Sequence, residues 1–214
     1  MGGRLGRCDC ESAGKDKLKR FDSFCQLPIP FRPEFLPTDF AIEPKVIGHR
    51  CVLRRDRFYT WDDKLFPVET AILEALIAVQ KAFPFPVLLD GVFKVLGNRP
   101  DPQDPENRER VFGVFHVFDV VRGHSFTERQ KSYGYARRRK ELKDVMLQRD
   151  FNRKGVVFLD EIPSFQITSD LLGKLARQKI AEGFDGIVIK DRAAFYGNAA
   201  NHSWMKITIE ELES

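Results

Sequence analysis

Three lysines stand in strand-like settings far apart in the sequence. Lys45 follows Glu43-Pro44 and precedes Val46-Ile47-Gly48-His49-Arg50, Lys190 ends the run Asp185-Gly186-Ile187-Val188-Ile189-Lys190, and Lys206 ends Trp204-Met205-Lys206. An ammonium in a half-buried strand resists desolvation unless an anion meets it, so three of them fit one anionic substrate held between them. Such an amine is also a nucleophile once deprotonated, and burial or neighbouring cations move its pKa in that direction. Lys45 has the setting of the nucleophile. Lys190 and Lys206 are placed to neutralise phosphate, the charge stabilisation that nucleotidyl transfer needs beside its leaving group. Taken singly, each also reads as a solvated strand lysine. Asp90 and Asp185 each precede a glycine; either could offer carboxylate oxygen to a hard metal ion, or simply make a turn. Phe118 is a ring for stacking on a purine or for filling a core.

The elements that must position these residues follow from periodicity. Strand patterns cover 41–47, 50–54 and 57–61, then Ile72, Leu76, Val79 and Phe83 recur at helical spacing. Residues 88–95 read as a strand pair or as one long strand kinked at Gly91, and 111–121 as another strand. Thr127 with Gln130 makes a capping-box pattern for a helix running to about Leu147. A short strand at 156–159 precedes a helix from Ser169 to about Ala181, with Leu172, Leu175, Ala176 and Ile180 inward. Strands at 186–190 and 203–209 follow. Residues 1–24 read as a flexible arm, 25–40 as a proline-rich extended segment laid over a core, and 100–110 as an outward loop. Many strands with three interspersed helices predict an α+β domain over 25–214, with two antiparallel sheets and a cleft between them.

Composition narrows the class. At 214 residues, 43% hydrophobic and 31% charged, the chain has the balance of a globular protein with a real core. The net charge of +4 favours a polyanionic partner only weakly, but Arg137-Arg138-Arg139-Lys140, Lys143, Arg149, Arg153 and Lys154 concentrate positive charge. That stretch is either a solvated helix face or a phosphate-contacting surface. Cys8, Cys10, Cys25 and Cys51 have no zinc-type spacing. No apolar run approaches the ~20 residues that span a bilayer, and no signal-peptide pattern opens the chain, so a cytoplasmic or nuclear protein is expected.

In order, these segments resemble the motifs of the covalent nucleotidyltransferases: ATP-dependent DNA ligases, RNA ligases and mRNA-capping guanylyltransferases. Glu43-Pro44-Lys45-Val46-Ile47-Gly48-His49-Arg50 looks like their Lys-x-Asp-Gly element. Tyr59 to Asp63 falls at their Ser/Thr-Arg-Asn-Gly turn, Leu89-Asp90-Gly91-Val92 at Leu-Asp-Gly-Glu, and Phe118-Asp119-Val120-Val121 at the base-stacking segment. Asp185 to Lys190 is similar to Glu-Gly-x-x-x-Lys, and Tyr196-Gly197 with Ser203 to Lys206 to the Trp-x-Lys-x-Lys ending. The wording is nearest the small phage and bacterial DNA ligases. The resemblance implies their adenylation-domain (ATP-grasp-like) fold, with ATP and Mg²⁺ as cofactors and a nicked DNA or RNA duplex as partner. It assigns Lys45 as the adenylated nucleophile, Glu43 as reader of the adenine amino group and Arg50 as a sugar or phosphate contact. Phe118 would stack on the base, Asp185 would help hold Mg²⁺, and Lys190 with Lys206 would bind the α-phosphate. It implies roles in DNA repair, replication and recombination.

The departures carry equal information. Ile47, Trp61, Val92 and Thr208 stand where Asp, Arg, Glu and the second closing Lys are expected, and Asp185 is a shortened Glu. Each hydrogen bond to a charged group lost this way costs about 1.5–3 kcal/mol, where 1.4 kcal/mol is about tenfold in rate. RNA joining and a degenerate, non-catalytic binding module therefore stand as alternatives to DNA sealing. No following OB-fold domain is expected within the sequence, so either single-domain action or a partner supplying that function is anticipated.

Overall fold

The strands that carry Lys190 and Lys206 lie side by side in one of two sheets that face each other, and Lys45 directly follows a third strand of that sheet. The structure is a computed structural model and describes residues 25–96, 111–123, 133–148, 151, 154–163, 168–197 and 199–213. The strands are β1 (Gln26–Pro30), β2 (Phe40–Pro44), β3 (His49–Arg54), β4 (Arg57–Thr60), β5 (Val87–Val95), β6 (Gly113–Arg122), β7 (Val156–Phe158), β8 (Ile187–Asp191) and β9 (Ala199–Ile207). The helices are α1 (Thr70–Lys81), α2 (Tyr135–Leu147), α3 (Ser169–Ala181) and α4 (Ile209–Glu213), with a 3-10 turn at Pro33–Phe35. One sheet has the order β1-β9-β8-β2 and the other β4-β3-β5-β6-β7. Neighbours are antiparallel except at one edge of each sheet, where β1 lies parallel to β9 and β7 parallel to β6. The second exception follows from connectivity: the chain leaves β6 and returns through α2, a crossover that brings β7 back in the same direction.

Alternation decides which face of each strand meets which layer. In β8, Ile187 and Ile189 turn to α3 and join Leu172, Ala176, Met205 and Ile207 in one core, leaving Val188 and Lys190 for the opposite face. In the second sheet, Cys51, Leu53, Leu89, Phe93, Phe115 and Val117 pack with Ile72, Leu76 and Val79 of α1. Between the sheets lies a third cluster that includes Val46, Val52, Leu88, Phe118, Tyr196 and Trp204. Two amphipathic helices thus cover the outer faces, and the inner faces are left to line a cleft.

Residues 87–95 form one strand, with a bulge at Asp90/Gly91 where the kink is expected. The Pro-rich segment includes an edge strand, β1, which the extended-segment reading did not name. The strand expected to reach 209 stops at Ile207 because Thr208 caps a helix. The Thr208 N–H donates to the Glu211 carboxylate at 2.9 Å and its hydroxyl donates to the same oxygen, so the Glu211 side chain reaches back to the N-cap as in one half of a Thr-x-x-Glu capping box. Residues 1–24, the 100–110 loop, the Thr127/Gln130 pattern, Arg149 and Arg153 fall outside the described residues. No helix among the described residues is long and apolar enough to cross a membrane.

Candidate active site

A cavity of about 300 Å³ opens between the sheets. The first sheet contributes Leu27, Pro28, Glu43, Pro44, Val188, Lys190 and Trp204 to its lining; the second contributes Arg50, Val92 and Phe118. Lys45, Val46, Gly48, Trp61 and Leu159 complete it. Of the predicted site residues, Lys45, Glu43, Arg50, Phe118 and Lys190 share this wall.

Lys45 follows β2 directly, and its backbone is pinned on both sides. Its N–H donates to the Gly186 carbonyl at 2.9 Å, and its carbonyl accepts from the Asp185 N–H at 2.7 Å. The side chain, about one quarter exposed, donates from Nζ to the Asp185 carboxylate. The Asp185-Gly186 segment must pass this close to β9, and Gly186 allows it: its φ is +129°, and a Cβ there would strike the Ile207 carbonyl. Nucleophile candidate and metal-ligand candidate, 140 residues apart, are thereby joined.

Glu43 and Lys190 lie deeper. Both are almost fully buried, with Lys190 Nζ 2.6 Å from Glu43 Oε2. The Tyr135 hydroxyl donates to Glu43 Oε1 at 2.5 Å, and Arg139 Nε lies 3.5 Å from the same oxygen. Burial pulls the Lys190 ammonium below the ordinary lysine value, while the Glu43 carboxylate pulls the other way. Burial, and then the Glu43 charge, push the Tyr135 phenol well above its usual range. Tyr135 therefore stays protonated and acts as a donor to the carboxylate.

Arg50 and Phe118 come from the second sheet. Asp119 pairs with Asp90 and Val117 with Gly91, so Phe118 is the unpaired residue of the bulge and its ring turns to the cleft. Arg50 is held bidentately by Asp90, from Nε and Nη2, each at 2.6 Å, and Asp90 also accepts from the Tyr196 hydroxyl at 2.5 Å. Burial works against the Arg50 charge, yet Asp90 more than offsets it and raises the arginine pKa. The Phe118 ring has the Arg50 guanidinium 4.5 Å and Lys190 Nζ 4.2 Å from its centroid. Trp204 meets Phe118 edge to face and also has Lys190 Nζ at 4.1 Å.

Lys206 sits apart from the cavity lining. It pairs across the sheet with Val188, but its Nζ is 3.2 Å from Glu211 of α4. The basic stretch on α2 resolves into pairs. Arg138 makes a buried bidentate bond to Asp119 at 2.9 and 3.0 Å, Arg139 turns toward Glu43 and Glu161, Arg137 meets Glu141, and Lys140 meets Asp144. A free phosphate-contacting face is not what Arg138 and Arg139 provide, because carboxylates contributed by other elements draw them inward. Tyr135, Arg139 and Tyr196, which orient the site, carry no periodic or motif signal of that role; only Tyr196 falls inside a recognised segment.

Among the described residues, no group of three or more His, Cys, Asp or Glu gathers as a ready metal cage. Magnesium is commonly held by one or two carboxylates together with substrate phosphate oxygens, and Asp185, partly exposed beside Lys45, fits as one such carboxylate. The cavity is at the small end of ligand sites, and its apolar walls with a few convergent charges suit a nucleoside.

No protein-family model and no curated protein sequence matches the chain. Solved structures do. A structure named Pmar-Lig_PreS3 superposes with a TM-score of 0.66 at 20% identity, over 86% of this chain and 46% of that one. The ATP-dependent DNA ligase from bacteriophage T7 in complex with ATP gives 0.64 at 16% identity, over 87% and 68%. The Chlorella virus DNA ligase-adenylate gives 0.62 at 16% identity, over 86% and 68%. The chain thus spans just under half the length of the first of these neighbours. Two facing sheets with a cleft between them, together with this superposition, give the chain the fold seen in these DNA ligase structures.

Proposed function

We propose that the chain is an ATP-dependent, ligase-like nucleotidyltransferase that uses Lys45 to take an adenylyl group and hand it to a 5′-phosphate at a nick in duplex DNA. The observation that carries this reading is Lys45 Nζ, bonded to Asp185 at a cavity whose walls bear Glu43, Arg50, Phe118 and Lys190. Lys45 attacks as the neutral amine, and the proton it sheds passes to water. Nζ then forms a bond to the α-phosphorus of ATP as the bond to the bridging oxygen breaks and pyrophosphate leaves. In the next step a 5′-phosphate oxygen displaces Lys45 from the same phosphorus, and a 3′-hydroxyl finally displaces AMP to seal the strand. Lys190 supplies fixed positive charge in a water-poor wall, where it acts more strongly than in solvent. Glu43, an acceptor with Tyr135 behind it, suits the adenine amino group; Phe118 forms the apolar wall beside the base. Asp185 would hold Mg²⁺, which when bound shields phosphate charge from the approaching amine.

Incubation with α-labelled ATP and Mg²⁺ tests this directly: label is expected on the wild-type chain and absent from Lys45→Ala. Label that survives the substitution would contradict it. A second reading, binding without turnover, is favoured by the apolar Val92 in the lining and by the use of Thr208 as a helix cap instead of a phosphate contact. It predicts salt-sensitive DNA binding with no adduct. Competition between nicked DNA and nicked RNA assigns the acceptor.

A further inference from the structure

We propose that Trp61 is a stacking platform for a nucleobase of the polynucleotide acceptor, separate from the place where the mononucleotide base lies; this rests on the reading above. Trp61 lines the cavity yet remains 41% exposed, while the other tryptophan, Trp204, is buried. Its direction follows from register. Cys51 pairs with Thr60, and the Trp61 N–H continues the ladder to the Arg50 carbonyl at 3.0 Å, so Trp61 stands opposite Arg50 and shares its face. Arg50 points into the cleft, and so does Trp61.

The ring sits on a held turn. The Thr60 N–H donates to the Lys64 carbonyl at 2.8 Å, the Thr60 hydroxyl donates to Asp62 at 2.5 Å, and Arg54 holds Asp63 at 2.9 Å, fixing the positive φ of Asp63. The two acidic residues after Trp61 would repel a phosphate backbone if free, but Asp62 is paired with Lys64 and Asp63 with Arg54. No other aromatic ring lies against Trp61 among the described residues. A large apolar ring carried on a held turn at an opening, with no aromatic partner among the described residues, is an available stacking face.

Phe118 and Trp61 approach the cavity from strands that are not neighbours. The strands run β4, β3, β5, β6, so Trp61 and Phe118 stand three strand spacings apart, about 14 Å between strand axes. A sandwiched base needs its two rings roughly 7 Å apart, the outer limit of ordinary aromatic pairing. Phe118 moreover carries Arg50 and Lys190 over its ring. The base on Trp61 is assigned as a second one, and in a reaction joining a mononucleotide donor to a polynucleotide acceptor it belongs to the acceptor.

The chain has two tryptophans, so labelling with 5-fluorotryptophan gives two ¹⁹F signals, assigned by the one that Trp61→Phe removes. A 5′-phosphorylated nicked duplex is expected to move the Trp61 signal well beyond any change that ATP alone produces. Trp61→Ala is expected to weaken binding of the duplex by about 10- to 100-fold, and Trp61→Phe, which keeps a ring, by about threefold or less. The unchanged Trp204 signal reports that each variant is folded. A Trp61 signal indifferent to duplex, an alanine variant that binds like wild type, or an equal response to ATP alone would each overturn the proposal. Label on Lys45 without a Trp61 response sinks this inference alone; a Trp61 response without label sinks the catalytic reading alone.

Discussion

At the scale of residues, the site is built from charges that are already matched. Glu43 receives Tyr135 and Lys190, Asp90 receives Arg50 and Tyr196, and Asp119 receives Arg138. Removing one member leaves its partner buried and uncompensated. Asp119→Ala strands the fully buried Arg138 and is expected to cost about 3–5 kcal/mol of stability, measured by urea denaturation. Tyr135→Phe removes a single hydroxyl donor and should cost about 1–3 kcal/mol, since it leaves part of the Glu43 carboxylate unsatisfied. The lysines are legible in sequence because each sits in or directly beside an apolar strand pattern where a charge is out of place. The network around them is not, because Glu43 and Tyr135 are 92 residues apart and an arginine-rich helix looks solvated until its carboxylates are found.

At the scale of elements, two local devices decide where functional groups point. The bulge between β5 and β6 turns Phe118 into the cleft, and it depends on Gly91, where a Cβ would strike the His116 carbonyl and the Phe115 ring. Gly91→Ala is expected to destabilise by about 1–3 kcal/mol through overpacking and to weaken nucleotide binding as Phe118 shifts, read by thermal denaturation and by ATP titration. The other device is α4. Partial burial of Glu211 works to raise its carboxyl pKa, but bonds from Thr208 and then Lys206 outweigh it and hold the value below the ordinary one. The unfolded chain therefore takes up the proton first. This stabilisation is present above the unfolded value near ~4.3 and is lost as pH falls through the lower folded value. The protection of α4 amides against hydrogen exchange, taken relative to the intrinsic exchange rate at each pH, should fall on acidification across that window, and Glu211→Gln should flatten the response. Thr208-x-x-Glu211 was readable as a helix start, but the apolar run before it reads equally as a strand carried to 209. The parallel edges of both sheets had no local signal at all, since nothing in β1 or β7 records the direction of its neighbour.

At the scale of the whole molecule, two sheets with their outer faces covered by helices leave one charged, apolar-walled cleft between them, and ligase structures at 13–20% identity superpose over 86–87% of the chain. That likeness establishes the fold; the chemistry rests on one amine. Intact mass measured after incubation with ATP and Mg²⁺ bears on that amine most directly. The account predicts a gain of one adenylyl group, mapped to Lys45, lost on hydroxylamine or acid treatment and absent from Lys45→Ala. A chain whose mass is unchanged by ATP, or an adenylyl group mapped to any other residue, would contradict it.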